Sequence, residues 1–178
     1  VKRRFNGNEQ TKRAYRAIGS LDEVLAHDAF GKDLGEYADL PEILERNQHE
    51  LYAESLVNPI QYLNRPEGYV PNTLHIGRGR QLIFLTGPNS GGKTSSSTGA
   101  QHAQILFQAG GYVPAKKAKM TIADHVYNQV VEPNDLLDEE GGLGSQLRRS
   151  KEILFGCSPH SFIVVDDLNE ATTFEEKM

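Results

Sequence analysis

The first clear hydrophobic period along the chain covers residues 9–30, where Ala14, Ile18, Leu21 and Leu25 recur at helical spacing with Ala17 and Val24 beside them. That spacing predicts an amphipathic helix. Gly31, Gly35 and Pro41 break the pattern, and a shorter apolar set, Leu40, Ile43 and Leu44, runs out near Asn47. Residues 1–47 therefore read as a helical segment with no recognisable chemistry. The texture then changes. Leu74 and Ile76 alternate with polar residues, the turn Gly77-Arg78-Gly79 follows, and Leu82-Ile83-Phe84-Leu85 form a continuous apolar run of strand length. Such a run is expected as a strand buried on both faces of a mostly parallel sheet.

A helix is expected from about Lys93 to Gln108, burying Ala100, Ala103, Leu106 and Phe107, with Gly110-Gly111 to end it. Alternation returns over residues 120–131, at Ile122, Val126, Tyr127 and Val130, and predicts a strand or hairpin. Residues 132–144 are acidic and glycine-rich and read as a loop. Leu147, Ile153 and Leu154 share one helix, and Phe162-Ile163-Val164-Val165 predict a second buried strand that ends at Asp166-Asp167. Strands alternating with helices make the fold class α/β.

Composition narrows this further. A chain of 178 residues suffices for one domain, or one domain with an attached piece. Its 38% hydrophobic content is that of a folded chain, not a disordered one. No apolar run reaches the ~18 residues of a membrane span. Lys2, Arg3 and Arg4 lead into polar sequence with no apolar core behind them, so no signal peptide is read, and the sequence is expected to be the interior of a longer protein. The single cysteine, Cys157, excludes an internal disulfide framework and a cysteine-rich zinc site. It suits a reducing cytosol, so a cytoplasmic or nucleoid-associated location is expected. The net charge is −5, and basic residues gather only locally, at Lys2, Arg3, Arg4, Arg13 and Arg16, at Lys116, Lys117 and Lys119, and at Arg148, Arg149 and Lys151. Any nucleic-acid contact is therefore expected mainly outside this chain. The six histidines show no ligand spacing, and the lysines after Pro114 are expected on a strand edge, where they discourage aberrant pairing.

The strongest chemical signal is Gly87-Pro88-Asn89-Ser90-Gly91-Gly92-Lys93-Thr94, which satisfies G-x-x-x-x-G-K-[ST]. Glycines let the backbone adopt positive φ and approach phosphates closely. Successive N–H groups form a nest for anionic oxygens, and the helix that follows directs its positive end at the same charge. Lys93 is expected to reach the β- and γ-phosphates and Thr94 to complete a magnesium site, with Ser95 next in the same turn. The bare pattern arises by chance in roughly one chain of this length in a hundred or fewer, and here it also follows an apolar run and opens a helix. The expected ligand is a purine nucleoside triphosphate with Mg2+. An acid near the metal is expected at the end of a neighbouring strand, and Asp166, after Phe162-Ile163-Val164-Val165, sits where the carboxyl edge of a sheet would place it.

Leu85-Thr86-Gly87-Pro88-Asn89-Ser90-Gly91-Gly92-Lys93-Thr94 closely resembles the T-G-P-N-M-G-G-K-[ST] segment of the MutS family of DNA mismatch-repair ATPases. Gln108-Ala109-Gly110-Gly111-Tyr112-Val113-Pro114-Ala115 resembles the family's G-x-[YF]-V-P-A segment, and Tyr69-Val70-Pro71-Asn72 the segment before its P-loop strand. Asp135-Leu136 and the helix ending Glu152-Ile153-Leu154 resemble its signature region, and Asp166-Asp167 stands where the family has Asp-Glu. The resemblance implies an ABC-class P-loop ATPase with a mostly parallel central sheet over residues 48–178, preceded over residues 1–47 by the end of the core and lever region. It implies ATP and Mg2+ as cofactors, a homodimer in which each signature region faces the other copy's nucleotide, and duplex DNA bound through domains outside this chain. By the same resemblance Tyr69, with Val70 beside it, stacks on adenine, Asn89 approaches the γ-phosphate, Asp166 holds magnesium through water, and Asp167 is the base for the attacking water.

Three positions depart from the family pattern. Asp167 replaces a glutamate. The signature serine is expected near Gly141, and the nearest serine is the displaced Ser145. The family's next strand, with its switch histidine, and its C-terminal helices do not appear before Met178, so the ATPase domain is expected to be incomplete at that end. Two other readings stay open: another ABC-class ATPase, of chromosome-maintenance or transporter type, and a module that binds nucleotide with little hydrolysis.

Overall fold

The computed structural model describes residues 9–77, 79, 81–88, 91–129 and 141–166. Helix α1 spans Glu9–Leu34, as the periodicity predicts, but only its C-terminal end is anchored, through buried Gly31 and Leu34. A Cβ on Gly31 would meet the Tyr112 ring at 2.6 Å, so that close approach requires glycine. The rest of the apolar stripe is open among the described residues; Ile18 is 64% exposed. A 3-10 turn, Gly35–Tyr37, then leads into strands β1 (Ala38–Asp39) and β2 (Glu42–Leu44). These strands correct the helical reading of residues 38–44. Pro41 cannot continue a helix, and Ile43 instead lies beside Met120 of a neighbouring strand.

Strands β3 (Leu51–Leu56), β4 (Asn72–Ile76) and β6 (Lys117–Thr121) join β2 in a four-stranded sheet of order β2-β6-β3-β4. Only β2 and β6 are parallel; β3 runs antiparallel to both of its neighbours. The largest sheet is thus mainly antiparallel, where the sequence predicts a mostly parallel one. A separate parallel pair joins β7 (Val126–Gln129) to β8 (Phe162–Val165). The short β1 pairs antiparallel with β5 (Val113–Pro114).

The core forms where β3 and β6 face helix α3 (Lys93–Gln108). Leu51 and Ala53 alternate inward along β3, and Ala118 and Met120 along β6. At Ser55 the β3 backbone turns left-handed, φ 51°, and the register with β4 shifts. This bulge brings Leu56 to the core where strict alternation would put Ser55. Opposite them α3 presents Ala100, Ala103 and Phe107, as expected, while Leu106 is only half-buried. Gly110 takes φ 78° and its N–H reaches Phe107 O while that of Gly111 reaches Leu106 O, which closes the helix as the sequence predicts. Buried Gln104 ties α3 to the end of β6, donating to Thr121 O at 3.1 Å and to Gln108 Oε1 at 2.8 Å. Helix α2 (Pro59–Asn64) is capped by Asn58, whose Oδ1 accepts from Ile60 N and Gln61 N. A cap of that kind contributes about 1 kcal/mol. Helix α4 is Gly141–Gly156.

Further expectations are corrected. Residues 82–85 form no strand, and Phe84 is 80% exposed. An extended segment becomes a strand only when a neighbour takes its N–H and C=O groups, and among the described residues none pairs with it. Phe162–Val165 is a strand but buries only Val164 well, so one of its faces is open. Within residues 120–129 the end of β6 and the whole of β7 are strands, as the alternation predicts, but they lie in different sheets and do not pair with each other as a hairpin. The lysines after Pro114 lie beside and on an interior strand, not an edge. Lys119 pairs with Glu42 of the neighbouring β2 at 2.5 Å, and Lys116 with Glu36 of the 3-10 turn at 2.7 Å. Among the described residues no helix is long and apolar enough to cross a membrane.

Candidate nucleotide-binding site

The glycine-rich segment leads straight into α3, with Gly92 as its N-cap in the left-handed region and Lys93 as its first residue. Gly87 has φ 150° and Gly92 φ 77°, both conformations that side chains strain to adopt. A Cβ at either would meet nothing within 4 Å, so the space over both glycines is open. Gly91 differs: its N–H donates to Pro88 O at 2.9 Å, and a Cβ there would sit 3.0 Å from that same oxygen. The loop is therefore closed by a tight turn over Pro88.

Among the described residues no side chain caps α3. Its first-turn N–H groups are left for another acceptor, which is the property that makes a helix N-terminus an anion site. Lys93 folds back along the loop, its Nζ donating to Gly87 O at 2.7 Å and Pro88 O at 3.1 Å. Thr94 is exposed on the same turn. Open glycines, uncapped N–H groups, a lysine and a hydroxyl fit a polyphosphate and a hard cation. Asn89 and Ser90 lie outside the described residues, as do Asp167, Asp135, Leu136, Glu170 and Glu175.

Asp166 follows β8, and its N–H donates to Gln129 O at 3.0 Å, which extends the β7–β8 pairing by one residue. Helix α3 packs against both of those strands. The helix that opens at the cradle and the strand that ends in Asp166 are thus direct neighbours.

Tyr69 is half-buried and Val70 75% exposed. The Tyr69 ring stands edge-on to Tyr62, centroids 5.8 Å apart, and Tyr62 is edge-on to Tyr37 at 5.0 Å. The Tyr69 hydroxyl accepts from Asn58 N at 2.8 Å and lies 3.1 Å from Ser95 Oγ. Asn72 Nδ2 donates to Ser96 Oγ at 3.2 Å. The structure therefore brings Tyr69 to the first turn of α3. Sequence reasoning missed Asn58, Asn72 and Tyr62. Asn58-Pro59 did carry a signal, an N-cap residue before a proline at the first helical position.

A glycine-rich turn opening a helix with its lysine at the first position, beside a strand that ends in aspartate, defines a P-loop type of α/β domain. Comparison with known proteins agrees: MutS domain V matches residues 83–178. The chain belongs to the MutS family. It is 30% identical over 166 residues to the DNA mismatch repair protein MutS of Prochlorococcus marinus, covering 92% of this chain and 18% of that protein. It is also 30% identical over 173 residues to Endonuclease MutS2 of Thermus thermophilus, covering 97% of this chain and 22% of that one. The chain thus spans about a fifth of the length of these relatives.

Proposed function

We propose that this chain is the nucleotide-binding part of a MutS-type DNA repair protein, an ABC-class ATPase domain that binds ATP and ADP with Mg2+. The observation that carries this reading is the uncapped N-terminus of α3, with Gly87, Pro88, Gly91, Gly92, Lys93, Thr94 and Ser95 around it. Asn89 and Ser90 complete the loop by sequence. Lys93 exchanges its two backbone carbonyls for phosphate oxygens, a stronger, charge-assisted partner. Thr94 and Asp166 would hold the magnesium ion, which when bound supplies positive charge against the phosphates. Tyr69 and Val70 offer an apolar surface for the base, and Asp167 is the base for water.

Nucleotide in this domain would bias distant DNA-contacting domains through the different affinities of two states, in a homodimer and in the cytoplasm. A second reading, nucleotide binding with little hydrolysis, is favoured by one feature, the aspartate at position 167 where the family has glutamate. Titration calorimetry with ATP and magnesium tests the reading. Lys93→Ala is expected to abolish tight binding while the unfolding midpoint without ligand stays unchanged, since among the described residues the Lys93 side chain bonds only Gly87 O and Pro88 O of the exposed loop. Equal affinity in the two proteins overturns the assignment.

A further inference from the structure

Three serines follow Thr94, and the structure treats the first one differently. Ser96 Oγ donates back to Gly92 O at 3.0 Å, and Ser97 Oγ donates to Thr94 O at 3.1 Å. Both hydroxyl protons are thus used within the helix. Ser95 Oγ makes no such bond among the described contacts; its partner is the Tyr69 hydroxyl at 3.1 Å. That hydroxyl already accepts from Asn58 N at 2.8 Å, and a backbone N–H can only donate. A phenol oxygen has one lone pair conjugated with its ring and accepts poorly a second time, so its own proton goes to Ser95 Oγ. The Ser95 proton is then left to point elsewhere. Ser95 sits in the uncapped first turn, where an anion is expected.

We infer that Asn58 N–H, Tyr69 O–H and Ser95 O–H form a directed hydrogen-bond chain that aims the Ser95 proton at the phosphates of the bound nucleotide. Tyr69 is in this account a positioning residue for the anion, through its hydroxyl, apart from any use of its ring for the base. The inference rests on the nucleotide-binding reading of the cradle. Its physical basis is that each bond polarises the next, and that a bond to a charged acceptor is stronger than one between neutral groups. Asn58 is 4% exposed and fixed by its cap to α2, so the chain starts from a rigid point. Gly99 of α3 packs directly on it, with a virtual Cβ 3.4 Å from Asn58 Cα.

The test uses calorimetry with magnesium and inorganic tripolyphosphate, a probe with phosphates and no base, beside ATP. Tyr69→Phe keeps the ring and removes the hydroxyl. It is expected to weaken tripolyphosphate about tenfold or more, the scale of one hydrogen bond to a charged group, and to weaken ATP by the same factor. Ser95→Ala is expected to match it, the double variant to be no worse than either single one, and Ser95→Thr to restore wild-type affinity. Tyr69→Ala should in addition lower the ratio of ATP to tripolyphosphate affinity. Unchanged tripolyphosphate affinity in Tyr69→Phe, or additive losses in the double variant, overturns the chain. Lys93→Ala separates the two levels. If it leaves tripolyphosphate binding intact, the cradle reading itself fails; if it abolishes binding while Tyr69→Phe is silent, only the chain does. Ser95→Ala carries the same expectation should Tyr69→Phe lower the unfolding midpoint.

Discussion

In the proposed function, position 167 is expected to set how fast ATP is turned over. Asp166 is assigned to the metal, so the next carboxylate is the natural base for the attacking water. An aspartate there carries its oxygens roughly 1.5 Å short of where a glutamate would, and a displacement of about 1 Å can cost on the order of a hundredfold in rate. Asp167→Glu is therefore expected to raise steady-state phosphate release, recovering part of that factor. Asp167→Asn is expected to remove turnover while ATP affinity by calorimetry stays as in wild type, because the role proposed for the residue is on water and not on the phosphates. Asp167→Asn hydrolysing at the wild-type rate would make Glu170 or Glu175 the next candidates for the base.

At the scale of elements, the connection from β6 to β7 is held to the turn before β8 by the Asp124 carboxylate, beside backbone bonds from Asp124 N to His160 O and from Phe162 N to His125 O. Ser158 Oγ donates to Asp124 Oδ2 and Ser161 Oγ to Oδ1 at 2.8 Å, with Arg46 3.6 Å and His125 3.5 Å away. The Ser158 hydroxyl first, then that of Ser161, holds Asp124 well below the usual carboxylate range. Its ionised form is thus favoured by folding. The stability it contributes is complete above the unfolded value near pH 4 and drains away as pH falls toward the lower folded value. The unfolding midpoint of Asp124→Asn is expected to lie below wild type at about pH 7, and the gap to close progressively below about pH 4. A gap that is the same at both ends of that range would show that the carboxylate charge plays no part.

Elements whose signals lie within themselves were legible in the chain. The helical period and the glycine stop of α3 are local, and its bounds follow from them. The Ser55 bulge, the interior place of β6 and the unpaired state of residues 82–85 depend on partners far along the chain, and a strand's pattern does not say which neighbour it has. The glycine-rich turn before α3 was legible because its backbone needs glycines at fixed positions, Gly87 and Gly92 with positive φ. The tie from Tyr69 to Ser95 crosses 26 residues with no pattern to mark it.

For the whole molecule, charge sets the expectation for duplex DNA. Its net charge is −5, and duplex affinity grows with the number of phosphates neutralised by clustered lysine and arginine. The structure further engages several of the basic side chains. Lys116 pairs with Glu36, Lys119 with Glu42, Lys32 with Asp28 and Lys12 with Glu9. Exposed pairs of this kind stabilise little, yet they lower the positive potential the surface offers a polyanion. Lys93, the cation nearest the proposed ligand, is committed to the loop carbonyls. The chain leaves about four-fifths of the length of these relatives unspanned, and duplex contact is proposed to lie there. The chain alone is expected to bind duplex DNA no more tightly than about 10⁻⁴ to 10⁻⁶ M at physiological salt, the range of non-specific binding. Fluorescence anisotropy with a labelled duplex, perfect or mismatched, measures this with and without ATP. Sub-micromolar affinity that falls steeply as salt is raised would place a DNA-contacting surface on this chain, and Arg148, Arg149 and Lys151 on α4 would be the first residues to neutralise.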